Sequence, residues 1–294
     1  MDKLLTVNHV TAQLLEGDCL TRLGDIQSNT VDLIVTSPPY GNQRKSTYGG
    51  IHPDKYVDWF LPRAQELMRV LKPTGTFILN IKENARGGER HPYVIQLILA
   101  LRNQGWLWTE EFIWHKKNAV PGKWPNRFRD AWERLLHFNL QRKFTMYQDE
   151  VMVPISKHTK ATFKYARADD HVRIYSPTGS GANMLRAKFR GRTRAYPSNV
   201  LYLAVEPRNQ GHSAVFPKTL PSWFIRLFTQ AGDMVLDPFM GSGTTCAAAI
   251  ELGRHAIGID TQAEYIKLAH KRILGCTAQD SSTASSSDGG SSAA

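Results

Sequence analysis

Cysteine is nearly absent from this 294-residue chain: three occur, Cys19, Cys246 and Cys276, with no CxxC pair and no close Cys/His grouping. A disulfide framework and a zinc site are therefore not expected, and no metal is assigned. No apolar run approaches the ~20 residues that a membrane helix needs. The N-terminal MDKLLTVNHV lacks the unbroken apolar core of a secretory signal, so a cytoplasmic protein with no membrane partner is expected. Acidic residues are also scarce beside basic ones, 26 Asp+Glu against 37 Lys+Arg, a formal charge of +11. That excess points to a polyanionic partner. What is present, 41% hydrophobic and 21% charged residues, is the composition of a folded domain, not of a disordered chain.

The charge is not spread evenly. Residues 115–210 hold 19 Lys+Arg and 7 Asp+Glu, a net +12, which leaves 18 against 19 elsewhere. Within it, Ser156–Arg194 carries ten basic and two acidic residues, including the alternating Arg186, Lys188, Arg190, Arg192 and Arg194, interleaved with Phe163, Tyr165, Tyr175 and Phe189. Alternation at period two would put these cations on one side of an extended strand, where they suit phosphate contact. On either side, short apolar runs alternate with helical periodicity, which predicts an α/β fold: a Rossmann-like, mostly parallel sheet with helices on both faces. Expected strands are Val31–Thr36, Gly75–Ile81, Glu111–His115, Met234–Asp237 and His255–Ile259. Expected helices are Tyr56–Leu71, Tyr93–Asn103, Pro221–Thr229, Thr244–Glu251 and Ala263–Leu274. Residues 1–150 and 211–276 then form two parts of one domain, 151–210 an insert, and 277–294, built only of Ser, Ala, Gly, Thr, Gln and Asp, a disordered tail.

Two loops carry the chemistry. Met234–Thr245 reads as a buried strand that enters a glycine turn and then a helix. Gly241 and Gly243 would let the backbone approach a ligand, while Asp237 at the strand end would hold a cationic or hydroxyl-bearing group. The turn is neither a phosphate loop, since no GK[ST] follows, nor a G-x-G-x-x-G dinucleotide turn. Asp260, closing the next strand, is placed to accept both hydroxyls of an adenosine ribose. The other loop is Thr36-Ser37-Pro38-Pro39-Tyr40, where an apolar strand stops at two prolines that fix φ near −65° and cannot donate to a sheet. Ser37 would be held rigidly at the carboxyl edge, with Tyr40 as a flat surface on which a planar ring could stack. Asp18, in a short turn upstream, could accept from an adenine amino group.

In this combination and order the chain resembles the amino-group DNA methyltransferases that use S-adenosyl-L-methionine, in the permuted class called beta, where the catalytic loop precedes the cofactor loop. Gly17-Asp18, Arg69–Gly75, Trp114–Pro121 and His212–Leu220 fit the same pattern, and the basic segment corresponds to the family's variable target-recognition region. The resemblance implies that Ser37, Pro38, Pro39 and Tyr40 hold a flipped base. It implies that Asp18, Asp237, Pro238, Phe239, Gly241, Ser242, Gly243, Thr244 and Asp260 hold the cofactor, with Phe216, Pro217 and Lys218 near its methionine part. Arg44 and Lys45, with Arg186, Lys188, Arg190, Arg192 and Arg194, would contact DNA. Glu133 is expected on a helix near the target pocket, and His115 and His137 are expected to be structural. Partners implied are double-stranded DNA, a second copy of the chain and a cognate restriction endonuclease.

Serine at the first catalytic position resembles the cytosine-N4 type, whereas adenine-N6 relatives usually carry Asp or Asn. Chemically, an exocyclic amine conjugated to a ring is a poor nucleophile, so acceptors such as Ser37 Oγ and the Pro38 carbonyl must engage its protons to localise the lone pair. Carbon-5 methylation needs a Cys nucleophile beside Pro, and no Pro-Cys pair exists. Adenine N6, RNA or protein glutamine as substrate, and a DNA-binding module without activity remain open alternatives. Replacing Arg190, Arg192 and Arg194 with Ala should weaken DNA binding and lower the slope of log K against log salt by about 3, with cofactor affinity unchanged. A matching loss of cofactor binding would show that recognition and chemistry are not separate.

Overall fold

The computed structural model describes residues 2–42, 50–119, 126–165, 171–173, 183–185, 191–205 and 216–283, with side chains for all of these but 158–159, 162–163, 171–173, 183–185 and 276–283. The chain divides into two units, Met1–Tyr147 with Asn199–Ala294, and Gln148–Ser198.

The first unit is built on a nine-stranded sheet. Its strands are β1 (Lys3–Val7), β2 (Val10–Glu16), β3 (Val31–Thr36), β4 (Leu71–Ile81), β5 (Leu107–Lys116), β6 (Trp132–Asn139), β7 (Val200–Leu203), β8 (Met234–Asp237) and β9 (His255–Asp260). They lie in the order β1-β2-β9-β8-β3-β4-β6-β5-β7. The pairs β2/β9, β9/β8, β8/β3, β3/β4 and β5/β7 are parallel; β1/β2, β4/β6 and β6/β5 are antiparallel. Helices are α1 (Cys19–Leu23), α2 (Tyr56–Val70), α3 (Tyr93–Gln104), α4 (Lys157–Lys164, in the second unit), α5 (Thr219–Phe228), α6 (Thr244–Glu251) and α7 (Ala263–Thr283).

Central strand β3 buries Val31, Leu33, Ile34 and Val35 completely, the near-continuous apolar run of a strand covered on both faces. Neighbours on β6 show the two layers. Phe138 packs on Phe77 and Trp106, next to α3, whereas the adjacent His137 points the other way, onto Phe228 of α5. In α2, Tyr56, Phe60, Ala64, Leu67 and Val70 recur at three- and four-residue spacing and are fully buried, so one stripe of the helix faces the core.

This topology positions the site. β8 and β3 are parallel neighbours, but the chain leaving β8 passes through α6 to β9 on one side, and the chain leaving β3 passes through α2 to β4 on the other. The diverging connections leave a crevice above the carboxyl ends of both strands. Because β6 is antiparallel, it starts at the edge where β4 and β5 end: Arg134 lies opposite Ile81 and Glu133 opposite Trp114.

Four expectations change. Glu133 is on strand β6, not a helix, because the Leu135-Leu136 doublet serves two buried faces and mimics helical periodicity. Within the expected 151–210 insert, β7 is an edge strand of the main sheet, pairing with β5. Gly191, at φ +81, interrupts the single extended strand expected for the alternating cations; Arg194 sits in a two-residue strand paired with Val153–Pro154. Helix α7 continues through Thr283 into the expected tail, since a helix already nucleated on packed turns propagates at little further cost through Ala and Gln. The β1–β2 hairpin went unforeseen, its turn formed by Asn8 and His9, both at positive φ, a position where His is an unusual choice. No helix among the described residues is long and apolar enough to cross a membrane.

His137 is 1% exposed among Phe112, Phe144 and Phe228. Burial holds its imidazole neutral and lowers its pKa to about 3. An unfolded chain protonates this ring near pH 6.5, so stability present above that pH is lost as pH falls toward 3, at up to about 1.4 kcal/mol per pH unit. His137→Leu should flatten the decline between pH 6.5 and 4, as measured by urea unfolding at stepped pH.

Candidate active site

Four parallel strand ends meet at the crevice: Thr36 of β3, Asp237 of β8, Asp260 of β9 and Glu16 of β2. The loops that follow wall an open cleft lined by Gly17, Asp18, Cys19, Ser37, Pro39, Ile51, Trp59, Pro238, Phe239, Asp260 and Thr261. Ser37, Pro39, Asp18, Pro238, Phe239 and Asp260 are thereby brought together as the sequence suggested. Trp59 was missed, because an aromatic residue at helical spacing on α2 reads as core. Cys19 is present as a neutral thiol, its pKa pushed up to about 12 chiefly by burial.

Asp237 does not wall this cleft. It is 1% exposed, and its carboxylate accepts from Thr36 Oγ1 at 2.6 Å, Thr245 Oγ1 at 2.7 Å and Phe239 N at 3.1 Å. The hydroxyl-bearing groups it holds are the protein's own. Burial raises its pKa to about 6, against the three hydrogen bonds, which lower it. Asp260 faces the cleft with both oxygens oriented by backbone donors, Gly241 N and Gln262 N, each at 2.9 Å. Asp18 caps α1 through Leu20 N and pairs with Arg63 Nη2 at 2.9 Å. That guanidinium also lies 4.3 Å from the Trp59 ring centre, and Trp59 packs on Phe239 at 5.7 Å. Thus one arginine steadies an acidic wall and an aromatic wall together.

The Ser-Pro-Pro-Tyr loop is braced from outside. Tyr56 Oη donates to the Pro39 carbonyl at 3.0 Å, Asn84 Nδ2 to the Gly41 carbonyl at 2.8 Å, and Gly41 N to Tyr93 Oη at 3.3 Å. Tyr40 is half-buried with its hydroxyl inward, 3.1 Å from Ser37 Oγ, 3.1 Å from Asn80 Oδ1 and 2.8 Å from Glu133 Oε2. Burial and the Glu133 carboxylate raise its pKa well above the usual phenol value. Asn80 carried no sequence signal, and Lys116, within the Trp114–Pro121 stretch, none that ties it to Glu133; only the β4-β6-β5 pairing brings them there.

Other expected residues lie apart. Phe216 and Pro217 are buried, and Lys218 pairs with Glu251 at 2.8 Å; none lines the cleft. His115 packs on Tyr202. Arg192 and Arg194 are exposed in the second unit, and Arg194 Nη2 donates to the Met152 carbonyl at 2.9 Å. Arg44, Lys45, Arg186, Lys188 and Arg190 lie outside the described residues. Among those described, no group of three His, Cys, Asp or Glu side chains is placed to hold a metal ion.

The residues fit an adenosine-bearing group. Aromatic faces for a ring and two oriented carboxylates share one cleft with Ser37. In the glycine turn, Ser242 is 6% exposed with no hydrogen-bond partner for its buried Oγ, the kind of orphaned group that a ligand satisfies.

Known proteins resemble the chain along most of its length. It is 28% identical over 281 residues to the type II methyltransferase M.PvuII of Proteus hauseri, covering 88% of this chain and 82% of that one. It is 25% identical to M.SmaI of Serratia marcescens, covering 93% and 94%. Among solved structures, the cytosine-N4-specific PvuII DNA methyltransferase superposes with a TM-score of 0.66 at 23% identity over 91% of this chain and 92% of that one. An M1.HpyAVI–SAM complex superposes at 0.55, with 20% identity over 89% and 98%. These structural likenesses establish the shared fold.

The two turn glycines do different things. A Cβ on Gly243, at φ +79, would meet Ala269 of α7 at 2.5 Å, whereas one on Gly241, at φ +53, would meet nothing within 4 Å. Gly243→Ala should therefore destabilise by about 3 kcal/mol through overpacking and strained backbone. Gly241→Ala should lose only about 1 kcal/mol yet weaken ligand binding; thermal unfolding and calorimetric titration of the cofactor would separate the two. Both glycines, like the Ser-Pro-Pro-Tyr loop, fall within residues 31–271, which match the model of the N6/N4 DNA methylases, and the chain belongs to that family.

Proposed function

We propose that the protein transfers a methyl group from S-adenosylmethionine to the exocyclic N4 amino group of cytosine in double-stranded DNA. Family membership supplies the coarser statement, an S-adenosylmethionine-dependent DNA amino-methyltransferase. Ser37 carries the finer one: a neutral hydroxyl heads the catalytic loop and lines the cleft, and the related PvuII enzyme is cytosine-N4-specific.

Bound in the cleft, the cofactor supplies a sulfonium methyl that is already electrophilic. Asp18 and Asp260 would accept from its donors, and Trp59 and Phe239 would offer aromatic faces to its ring. Ser37 Oγ and the Pro38 carbonyl accept the two amine protons, drawing the nitrogen lone pair out of ring conjugation. The bracing by Tyr56, Tyr93 and Asn84 keeps these acceptors in place before the base arrives, so little ordering remains to be done at the barrier. The cofactor would supply the methyl to the nitrogen and leave as the thioether, and the amine proton held by Ser37 Oγ or the Pro38 carbonyl would pass to water. Extrusion of the base costs a few kcal/mol, which phosphate contacts from Arg44, Lys45 and the basic segment offset. The type II relatives support a role beside a cognate restriction endonuclease.

Incubation of duplex DNA with the protein and S-adenosylmethionine, followed by nucleoside mass spectrometry, should yield N4-methylcytosine. N6-methyladenine alone would overturn the cytosine assignment, and faster labelling of RNA than of duplex DNA would overturn the substrate class. Ser37→Ala should lower kcat about 100-fold with cofactor affinity unchanged.

A further inference from the structure

A serine hydroxyl is ambivalent, since it can accept a hydrogen bond from an amine or donate one to a carbonyl. A chain of buried groups removes that ambivalence here. Tyr40 Oη carries one proton and lies near three polar atoms: Ser37 Oγ, Asn80 Oδ1 and Glu133 Oε2. Asn80 Nδ2 donates to Glu133 Oε2 and to the Arg134 carbonyl, both at 3.1 Å, so the carbonyl end of that amide faces Tyr40. Two of the three neighbours are therefore acceptors only, and the Tyr40 proton must go to one of them. Tyr40 Oη then accepts from Ser37, whose only proton is engaged away from the substrate. Lone pairs are what Ser37 presents to the cleft it lines. The origin of this polarity is Glu133, 6% exposed, paired through Oε1 with Lys116 Nζ.

We propose that the Glu133–Lys116 pair, acting through Tyr40, fixes Ser37 as a hydrogen-bond acceptor and so makes the site select a base bearing an exocyclic amine over one bearing a carbonyl. The inference rests on the function proposed above and deepens it. Glu133 and Lys116 are positioning residues; neither touches the reacting atoms. Cytosine and adenine offer N–H donors to Ser37, whereas uracil and hypoxanthine offer a carbonyl oxygen. Lone pairs facing lone pairs leave both groups unsatisfied, a penalty equivalent to a 10- to 100-fold preference. The high phenol pKa of Tyr40 keeps in place the proton that the chain requires.

Glu133→Gln tests the direction of the chain. Beside Lys116 the new amide turns its oxygen to the ammonium and its NH2 to Tyr40. That NH2 also faces Asn80 Nδ2, so the Asn80 amide turns over, its oxygen to the new donor and its own NH2 to Tyr40. With both former acceptors now donors, the Tyr40 proton swings to Ser37 and the serine proton points into the cleft. The assay uses a duplex carrying the site identified by modified-base sequencing, and the same duplex with the target cytosine replaced by uracil, or a target adenine by hypoxanthine. In wild type the amino base should bind 10- to 100-fold tighter. In Glu133→Gln, kcat should fall 10- to 100-fold and the preference shrink toward unity, with the cofactor Kd and KM unchanged. Tyr40→Phe, which removes the acceptor for the serine proton, should collapse the preference in the same way. If the wild type methylates DNA while Glu133→Gln keeps its kcat and its preference, the inference is wrong and the function stands. A Glu133→Gln variant that loses cofactor affinity and thermal stability in step with kcat would show a merely structural role and overturn it. Absence of methyl transfer to DNA by the wild type would refute both the function and the inference.

Discussion

One buried carboxylate ties the two halves of the site together. Asp237 ends β8, yet its nearest partner is the hydroxyl of Thr36, 201 residues earlier in the chain and directly before Ser37. Its other oxygen holds Thr245 in the first turn of α6, at 2.7 Å. Through this one group the strand that presents Ser37 and the glycine turn that leads into α6 share a fixed geometry. Isolating a carboxylate from water is expensive, which its raised pKa of about 6 expresses. Three donors offset part of that cost, and their loss would leave an unpaired buried charge between β3 and β8, where the sheet has no room to relax.

The same device recurs at the cleft itself. Asp260 and Asp18 each accept from backbone amides before any ligand is present, so their orientation is set by the fold. Trp59 and Asp18 are likewise coupled through Arg63. Such preorganisation moves the ordering entropy of the side chains from the binding step to folding.

How much of this could be read from the sequence follows from what each part demands of the chain. The Ser-Pro-Pro-Tyr loop and the glycine turn were legible because their backbone geometry needs particular residue types: prolines to end β3, and glycines at φ +53 and +79 to turn from β8 into α6. The fully buried strands β3, β8 and β9 were legible as short apolar runs. Asn80, Lys116 and Trp59 were not, since nothing local ties them to the site; their roles arise only when β6 is inserted antiparallel between β4 and β5, or when α2 packs over the cleft. Glu133 was assigned to a helix for the same reason, its strand being buried on both faces and lacking alternation. Asp237 was legible as the end of β8, but a local motif cannot reveal that Thr36 and Thr245 donate to its carboxylate.

The buried Glu133–Lys116 pair poses a final question of energetics. Replacing a buried ion pair with apolar residues of equal volume is often neutral or stabilising, so stability alone does not account for its presence behind the Ser-Pro-Pro-Tyr loop. Its consequence lies in direction. A neutral pair at this position could leave Tyr40 with either a donor or an acceptor beneath it, and the Ser37 hydroxyl would then sample both orientations. A carboxylate offers acceptors only, and Lys116 engages its other oxygen without presenting a donor to Tyr40. The charge is thus converted, over two hydrogen bonds of 2.8 and 3.1 Å, into a fixed orientation of one hydroxyl at the cleft. Asp237 does by geometry what this pair does by polarity: the first fixes where Ser37 stands, and the second fixes which way its proton points.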